Sequence, residues 1–387
     1  MRERLLPATQ KAGRLTLRVL AMTCVPLLSS CGPRTEVIAI GCSAPLTGDQ
    51  AKIGIDMLNG VILAVEQANA RGDTLPGMKL LLVPLDDQHS PSQAVNVAKK
   101  FVVDANLVGV LGHLNSSCTK PASAVYHEAG LVQITPASTN PEISKQGFNT
   151  FFRVSPTDDV QGPQGANYAF KTLGLKSVFI IDDKTTYGKG IADEFEKQVH
   201  LLGVNLLGHE GITAGDKDFT ALLTKIKALD PDLIYHGGYY PEMALLVKQG
   251  RDLGVRARLM GGDGVADSLL VKLATPAAAE GVLATMVGAD MKKVPTAQTF
   301  VKAYETRFGE LGLYSAYGYD AANILIEAIR RAGKKDRAAV LEEVRKTRNF
   351  PGVTGTVNFD ARGDSTNKSI GIFEVRDGRF EYIGPAD

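Results

Sequence analysis

The sequence predicts an α/β fold of two doubly wound parallel-sheet lobes joined by a three-crossing hinge. Short β-rich runs alternate with segments of helical spacing from Glu36 onward, and the alternation begins a second time after Phe151. Repeated βα units place strands in a parallel sheet with helices on both faces. The segments beyond residue 296 contain too little strand for a third sheet. We therefore expect them to return to the two earlier lobes.

The first series of elements begins at Val37. Its first helix is predicted from apolar residues at helical spacing and from a stop near Gly72. The predicted strands are residues 37–41, 79–85, 107–111 and 131–135, and the predicted helices are residues 54–70, 91–103 and 117–129.

The second series alternates in the same way. Its predicted strands are residues 177–182, 204–208, 233–235, 258–260 and 281–287, and its predicted helices are residues 164–173, 190–201, 218–229 and 241–253. Three helices follow at 296–308, 315–332 and 336–347, then a strand at 353–359. The chain ends in a predicted hairpin, 369–376 with 379–383, because Asp377-Gly378 is a strong hairpin turn signal.

These elements predict the domain organisation. Lobe 1 is expected to comprise residues 36–157 and 286–366, and lobe 2 residues 158–285 and 367–387. Long tracts of Pro, Ser or Gly are missing between them. The crossings are therefore expected to be short and hinge-like rather than flexible linkers.

The N-terminus predicts export. Five basic residues lie among the first eighteen, and the apolar run 19–28 that follows is too short to span a bilayer. It ends in Leu28-Ser29-Ser30-Cys31, which resembles a lipobox. The resemblance implies a signal peptide at residues 1–30, cleavage before Cys31, and lipidation of Cys31. We expect an extracytoplasmic protein, in the periplasm or at the cell surface, held to the membrane by lipid; a plain secreted protein is the alternative.

Two cysteines remain after Cys24 leaves with the signal and Cys31 is used for lipid. Cys42 and Cys118 are both expected at the carboxyl edge of one sheet, in an oxidising space. A disulfide between them and two buried free thiols are both compatible with the sequence.

Composition and motifs argue against several classes of function. The formal net charge is +1, and no basic stripe with interleaved aromatics is present, so no nucleic-acid partner is expected. His113 lies near Ser116 without a nucleophile elbow or an orienting acid, so we expect no enzyme. Asp86-Asp87 with His89 and His113 lacks the spacing of a metal site. Nucleotide fingerprints are also missing, and no cofactor is expected.

The loops after strands carry the residues that predict function. In an open α/β sheet, ligands bind beyond the carboxyl ends of the strands. Loops 112–119 and 136–140 offer hydroxyls and amides at two helix N-termini, which suit a carboxylate. Loops 182–188, 237–242 and 261–264 offer tyrosines and Asp263, which can accept from an ammonium. A zwitterion held between the lobes is the predicted ligand.

Five motifs in order resemble one family. They are Gly112-His113-Leu114 with Ser116-Ser117, Ile134-Thr135-Pro136-Ala137, Asp183-Lys184 with Tyr187-Gly188, residues 211–215 with Lys217-Asp218-Phe219, and Gly237-Gly238-Tyr239 with Pro241-Glu242-Met243. They are similar to motifs of the periplasmic branched-chain (leucine/isoleucine/valine-type) amino-acid-binding proteins of ABC transporters, a type I periplasmic binding protein family, here in lipoprotein form. The resemblance runs from about Val37 to the final hairpin.

The resemblance implies roles for the loop residues. Ser116, Ala137 and Thr139 are expected to hold the ligand carboxylate, and the Ser138 hydroxyl lies in the same loop. Thr139, Tyr187 and Asp263 are expected to hold the ammonium. Tyr187, Tyr239 and Tyr314 are expected to line the side-chain pocket.

Each role has a plain structural alternative. Ser116 and Thr139 also suit helix N-caps. The two tyrosines could be surface aromatics, and Asp263 between glycines could be a turn former. Tyr317 and Tyr319 compete with Tyr314.

The sequence also departs from the family pattern. Asp263 stands where the best-known branch has a longer Glu, and no aromatic lies near Lys52-Ile53. The first-lobe cysteine pair of that branch corresponds to His89 and Asn115. The first two changes indicate a ligand different from plain leucine.

The predicted function is therefore a solute-binding lipoprotein that delivers an amino acid to the permease subunits of an ABC importer. The alternative is the ligand-sensing subunit of a receptor or regulatory system that binds an amino acid or a small amide. The lipobox favours transport.

Overall fold

The computed structural model describes residues 36–72 and 74–386. The predicted signal peptide and the predicted lipidation site Cys31 lie outside the described residues. Among the helices that are described, none combines the length and apolar character needed to cross a membrane.

Fourteen strands are described in these ranges. They are β1 Glu36–Ala44, β2 Met78–Asp86, β3 Leu107–Gly112, β4 Val132–Thr135, β5 Phe151–Arg153, β6 Ser177–Asp182, β7 Asn205–Gly211, β8 Leu233–Gly237, β9 Arg258–Gly261, β10 Leu283–Val287, β11 Phe350–Gly352, β12 Gly355–Val357, β13 Ile370–Arg376 and β14 Arg379–Pro385.

The α-helices of the same ranges are α1 Ala51–Arg71, α2 Pro91–Val103, α3 Ser116–Glu128, α4 Asp158–Asn167, α5 Thr186–Leu201, α6 Thr220–Leu229, α7 Tyr240–Asp252, α8 Ser268–Ala274, α9 Pro276–Ala279, α10 Gln298–Phe308, α11 Ser315–Ala332 and α12 Arg337–Arg345. A π-helical turn, Tyr168–Thr172, continues α4. Short 3₁₀ turns occupy Ser144–Gln146, Asp263–Val265, Met291–Lys293 and Pro295–Ala297.

The strands form two large sheets, as predicted. The first has the order β2-β1-β3-β4-β5 and is parallel throughout. The second has the order β14-β13-β10-β9-β8-β6-β7, in which β13 and β14 are antiparallel to their neighbours. Every residue of β3 and β8 is buried, because helices cover both faces of a parallel sheet.

We call the first sheet with the helices packed on it lobe 1, and the second sheet with its helices lobe 2. The late helix α11 packs on α1, β3 and β4, and α12 packs on β3 and β4, so both belong to lobe 1. Helices α4 to α9 pack with one another and with the second sheet. The predicted boundary at residue 285 falls inside β10, which lies wholly in the second sheet. The exact lobe boundaries remain a proposal.

The C-terminal hairpin is confirmed. Strands β13 and β14 pair antiparallel, with Arg376 opposite Arg379. Asp377 and Gly378 both have positive φ, of 50° and 75°. This is the backbone that a tight two-residue hairpin turn needs, and Asp-Gly adopts it readily.

The strand predicted at 353–359 is confirmed only at Gly355–Val357, which is β12. The chain instead forms a small hairpin, β11 with β12, that turns at Val353 and Thr354. The buried Asp320 carboxylate of α11 accepts hydrogen bonds from the amides of both turn residues, each at 2.9 Å. This long-range contact fixes a turn that the local sequence does not signal.

The helix predicted at 164–173 begins earlier, at Asp158. The Thr157 carbonyl accepts from Val160 N at 2.9 Å and from Gln161 N at 3.0 Å, which starts the first turn. Pro163 therefore lies inside α4 rather than before it. The earlier start brings Asp158 to a helix N-terminus.

Cys42 and Cys118 are buried free thiols, so the alternative without a disulfide is the one observed. Burial raises the pKa of both thiols. The thiolate, which is the reactive form, is therefore disfavoured at both positions.

Candidate ligand-binding site

The residues predicted to bind ligand are all buried, on loops and at helix N-termini. Lobe 1 contributes the loop after β3, with Ser116, and the loop after β4, with Ala137, Ser138 and Thr139. Lobe 2 contributes Tyr187 from the first turn of α5, and Tyr239 and Asp263 from the connections after β8 and β9. Tyr314 directly precedes α11.

The lobe-1 side is built on the N-terminus of α3. Ser116 is the first residue of this helix. The first amide groups of a helix have no carbonyl of a preceding turn to donate to. The Ser116 hydroxyl accepts a hydrogen bond from Asn140 N at 3.3 Å, which places Thr139 beside the helix end. The buried Thr139 hydroxyl has no hydrogen-bond partner among the described residues. Free donors at a helix N-terminus favour a bound carboxylate.

Arg153, at the end of β5, fixes the loop after β4. Its guanidinium is fully buried and donates to the carbonyls of Ser138 and Asn140 at 2.7 and 2.8 Å. It also pairs with the Asp364 carboxylate at 2.6 Å, which compensates the buried charge. Sequence reasoning missed this residue because its partners lie far apart along the chain.

Ser138 has a different environment from its neighbour Thr139. Its hydroxyl contacts the Thr119 hydroxyl at 2.6 Å and donates to the Leu114 carbonyl at 2.9 Å. The side chain therefore joins the loops after β3 and β4 to each other. The amides of Ala137 and Ser138 meanwhile donate to the Thr135 hydroxyl, at 3.3 and 3.0 Å.

On the lobe-2 side, Asp263 gathers two of the predicted tyrosines. Its carboxylate accepts from the Tyr187 hydroxyl and from the Tyr314 hydroxyl, each at 2.8 Å. The Tyr187 hydroxyl also accepts from Gly264 N at 3.0 Å. Burial raises the pKa of Asp263, while the two tyrosine hydroxyls lower it. The carboxyl is therefore held in a defined position inside the protein.

The glycine before Asp263 is required by close packing. A Cβ on Gly262 would lie 2.5 Å from the Tyr187 hydroxyl oxygen and 2.5 Å from Cδ1 of Ile191. Real Cβ atoms do not approach other atoms so closely. Gly262 therefore serves more than a turn, because it allows the close approach in which the Asp263 carboxylate contacts Tyr187.

The aromatic rings form one wall of the site. The rings of Tyr187 and Tyr239 lie 5.0 Å apart and are tilted at 44°. The His89 ring of lobe 1 packs edge-on against Tyr239 at 5.3 Å. Tyrosine faces can cover an aliphatic group while the hydroxyls find polar partners.

A second acid, Asp158, is the main site residue that the sequence reasoning missed. It is fully buried at the N-terminus of α4, and neither carboxylate oxygen completes a hydrogen bond within the described residues. Burial raises the pKa of Asp158 well above its usual range; the nearby Thr139 hydroxyl lowers it and the charge of Asp263 raises it. Two acids are thus buried at one site.

The two lobes touch around this site. Asn140 Nδ2 of lobe 1 donates to the Thr186 carbonyl of lobe 2 at 2.7 Å. The Lys217 ammonium of lobe 2 pairs with Asp49 of lobe 1 at 3.0 Å. At the rim, a cavity of about 730 Å³ is lined by residues of both lobes, including Gln50, Ser117 and Glu242. The structure therefore presents the lobes closed over the buried residues.

A family model described as periplasmic binding protein matches residues 37–379. The chain belongs to this family. The resemblance drawn from the five motifs and the predicted two-lobed α/β fold are both confirmed. The family is one of solute-binding proteins with an extracytoplasmic location.

Similar relatives share most of their length with this periplasmic binding protein. A leucine-, isoleucine-, valine-, threonine- and alanine-binding protein of Pseudomonas aeruginosa is 35% identical, over 94% of this chain and 97% of the relative. A Leu/Ile/Val-binding protein homolog 2 of Brucella abortus is 36% identical, over 89% of this chain and 93% of the relative.

Solved structures agree with the fold. A leucine-binding protein, LivK, of Thermotoga maritima has a TM-score of 0.84 at 32% identity, covering 90% of this chain and 98% of that one. The branched-chain amino acid transporter substrate-binding protein LivJ of Streptococcus pneumoniae, in complex with isoleucine, also has a TM-score of 0.84, at 29% identity, covering 90% of this chain and 100% of that one.

Proposed function

We propose that this periplasmic binding protein captures a free amino acid between its lobes and delivers it to the transmembrane subunits of an ABC permease. The observation that carries the proposal is that one buried site contains both hydrogen-bond donors suited to a carboxylate and carboxyl groups suited to an ammonium. Lobe 1 offers the α3 N-terminus and the Thr139 hydroxyl, which has no hydrogen-bond partner in the part of the chain that the structure describes. Two buried carboxyls lie at the same site: Asp263, and Asp158, whose amide donates to the Thr139 carbonyl at 3.0 Å.

The ammonium end of the ligand is assigned to these acids. Burial and then the charge of Asp263 raise the pKa of Asp158, so without a cation the site favours a proton on Asp158 over a second negative charge. A ligand ammonium supplies the missing positive charge and can donate three hydrogen bonds. The unpaired oxygens of Asp158 give it acceptors that Asp263, already bonded to two tyrosines, does not have to spare.

The carboxylate end is assigned to Ser116, Ala137 and Thr139. The helix N-terminus and the free hydroxyl favour an anion without a buried cation in contact with it. Arg153 acts indirectly, since its guanidinium is already committed to Asp364 and to loop carbonyls. The apolar part of the ligand would lie against the rings of Tyr187 and Tyr239.

The specificity is proposed to differ from that of a plain leucine binder. Lys52 stands near the position where an aromatic is usual, and its ammonium pairs with Asp56 and lies 3.9 Å from Asp267 of lobe 2. Asp263 is also one methylene shorter than the usual Glu. Both features favour a ligand with a polar, larger or N-substituted group.

Lipid anchoring through Cys31 completes the proposal. A tether outside the cytoplasm would keep the protein near its permease without restricting lobe closure. The support is the sequence of the N-terminus alone.

A thermal-shift screen tests the function. The ligand set contains the standard amino acids, N-methylated amino acids, small amides, and two leucine analogues, 4-methylpentanoate and 3-methylbutylamine, that each lack one charged group. A true ligand at about 100 times its Kd adds about 2.7 kcal/mol, which raises the Tm of a chain of this length by about 3–4 °C. Only molecules with both charged groups are expected to do so. An equal shift with either single-charge analogue contradicts the zwitterion site.

A further inference from the structure

A cluster of histidine and carboxylate side chains lies on the outer edge of lobe 2. We call Asp193, Glu196, His200 and His209 the Glu196 cluster. Ligand atoms of Asp193, Glu196 and His209 all lie within 4.8 Å of one another. His200 Nε2 lies 3.3 Å from the remaining carboxylate oxygen of Glu196. None of these side chains belongs to the amino-acid site.

The fold brings the cluster together from two elements. Positions 193, 196 and 200 lie three and four residues apart on α5, so their side chains share one face of the helix. His209 lies on β7, the edge strand of the second sheet, next to that face. The Glu196 side chain is central, because one oxygen faces His200 and the other lies 2.6 Å from His209 Nδ1.

The His209 ring lies between two carboxylates. Nδ1 faces Glu196 at 2.6 Å, and Nε2 faces Asp182 at 3.1 Å. A neutral imidazole carries one proton, so it can donate to only one of them. Its other nitrogen then presents a lone pair to a carboxylate oxygen, which is unfavourable unless a second proton or a metal ion lies between the two.

Asp182 is the more buried of the two carboxylates, with 8% of its side chain exposed against 26% for Glu196. This nearly buried carboxylate also accepts from Lys184 N at 2.7 Å, so it is fixed at the end of β6. It is thus placed to accept from His209 Nε2–H. A histidine that donates one ring N–H to a carboxylate and turns the other nitrogen outward is the usual arrangement of a metal-ligating histidine.

We propose that the Glu196 cluster binds a divalent transition-metal ion of the Zn²⁺ class. Imidazole nitrogen and carboxylate oxygen together suit Zn²⁺, whereas Ca²⁺ and Mg²⁺ prefer oxygen alone. Ligand bonds of about 2.0–2.2 Å place tetrahedral ligands about 3.4 Å apart, within the observed spread. His209 Nδ1, Glu196 and Asp193 are the preformed ligands, and exposed His200, which already contacts Glu196, is the candidate for the fourth position.

One existing contact must change when metal binds. Lys189 pairs with both oxygens of Asp193 at 2.7 Å, one turn along the helix. This pair is largely exposed, so it contributes little stability, and a divalent cation can replace the lysine. The bound ion would join α5 to β7, and α5 also carries Tyr187 of the amino-acid site.

Calorimetry with zinc chloride tests the proposal, on purified protein without an affinity tag in chelator-treated buffer. We expect one zinc per chain and a higher Tm with zinc. Glu196→Gln and His209→Gln should show no uptake at the concentration that saturates the unmodified protein. Asp182→Asn, which disturbs only the orienting carboxylate, should weaken binding by about 10- to 100-fold. Glu194→Gln is the matched control, since Glu194 lies on the same helix and pairs with Lys197 instead.

Cobalt substitution provides a second measurement. Co²⁺ held by nitrogen and oxygen in four-coordinate geometry gives visible absorption bands, which Glu196→Gln should abolish and Glu194→Gln should keep. Tm without metal verifies that each variant is folded. The proposal is overturned if zinc leaves the unmodified protein unchanged, which means that only a proton lies between His209 and Glu196. It is equally overturned if folded Glu196→Gln binds zinc as tightly as the control.

Discussion

Replacing Asp263 by alanine removes the acceptor of two buried hydrogen bonds at once. Its carboxylate accepts from Tyr187 of lobe 2 and from Tyr314, which precedes a helix packed on lobe 1. In the proposed site it also faces the ligand ammonium. Asp263→Ala therefore perturbs both the ligand contact and the contact that links the closed lobes.

The structure sets an order of effects for three variants. Tyr314→Phe removes one hydrogen bond to a charged group, worth about 1.5–3 kcal/mol, or about 10- to 150-fold in Kd. Asp263→Ala leaves a desolvated ammonium without this partner, which costs about 3–5 kcal/mol, or about 150- to 5000-fold. Asp263→Asn keeps one carbonyl acceptor and should lie between the other two.

Isothermal titration calorimetry with leucine, and with the strongest ligand from the thermal-shift screen, measures all three. Tm of each unliganded variant verifies that it is folded. The reasoning is refuted if folded Asp263→Ala binds within a few-fold of the unmodified protein. In that case Asp263 only organises the turn after β9, and Asp158 holds the ammonium alone.

Three further predictions follow from other residues. Asp158→Asn should weaken amino-acid binding in calorimetry yet raise the Tm of the unliganded protein at neutral pH, because it removes a buried carboxyl with no hydrogen-bond partner in the described structure. Burial raises the pKa of Asp183 from 3.8 to about 7, so the folded state retains a proton that the unfolded state releases. Asp183 then contributes a loss of stability of up to about 4 kcal/mol as pH rises from about 4 to about 7, and urea unfolding should show a shallower pH slope in Asp183→Asn than in the unmodified protein, by the contribution of this one group. Cys31→Ser should move the protein from the membrane to the soluble fraction of cells; an unchanged membrane fraction contradicts lipidation.

Local periodicity predicted the sheets because the buried face of each strand and helix is visible in the spacing of its own apolar residues. Residues 177–182 form a short run of Val, Phe and Ile, and they are β6 in the structure. The hairpin turn at Asp377-Gly378 is equally local. The failure at residues 353–359 has the opposite cause, since the turn there depends on Asp320, more than thirty residues earlier. β5 was missed because three residues are too few to show a period.

The same distinction applies to the candidate site. Loops after strands pointed to Ser116, Thr139, Tyr187 and Asp263, and the structure brings all four into one buried region. The sequence did not identify Asp158, because its buried environment is created only by the fold. An acid at the start of a helix is ordinary in sequence, and only burial shows that this one is unusual.

The Asp263 carboxylate takes part both in the proposed ligand binding and in the contact between the closed lobes. The Asp263–Tyr314 hydrogen bond joins the lobes, so it requires the closed state. Closing without ligand buries both carboxyls, and burial together with the charge of Asp263 disfavours the charged form of Asp158 by raising its pKa. A ligand ammonium removes that cost, and the closed state gains stability in proportion to the ligand's differential affinity for it. Amino-acid binding and lobe closure are thereby coupled through Asp158 and Asp263.

Neutralising Asp158 should therefore favour closure without ligand, and small-angle scattering of unliganded Asp158→Asn should show a smaller radius of gyration than the unmodified protein. An identical radius in both would mean that the buried acids do not control the hinge.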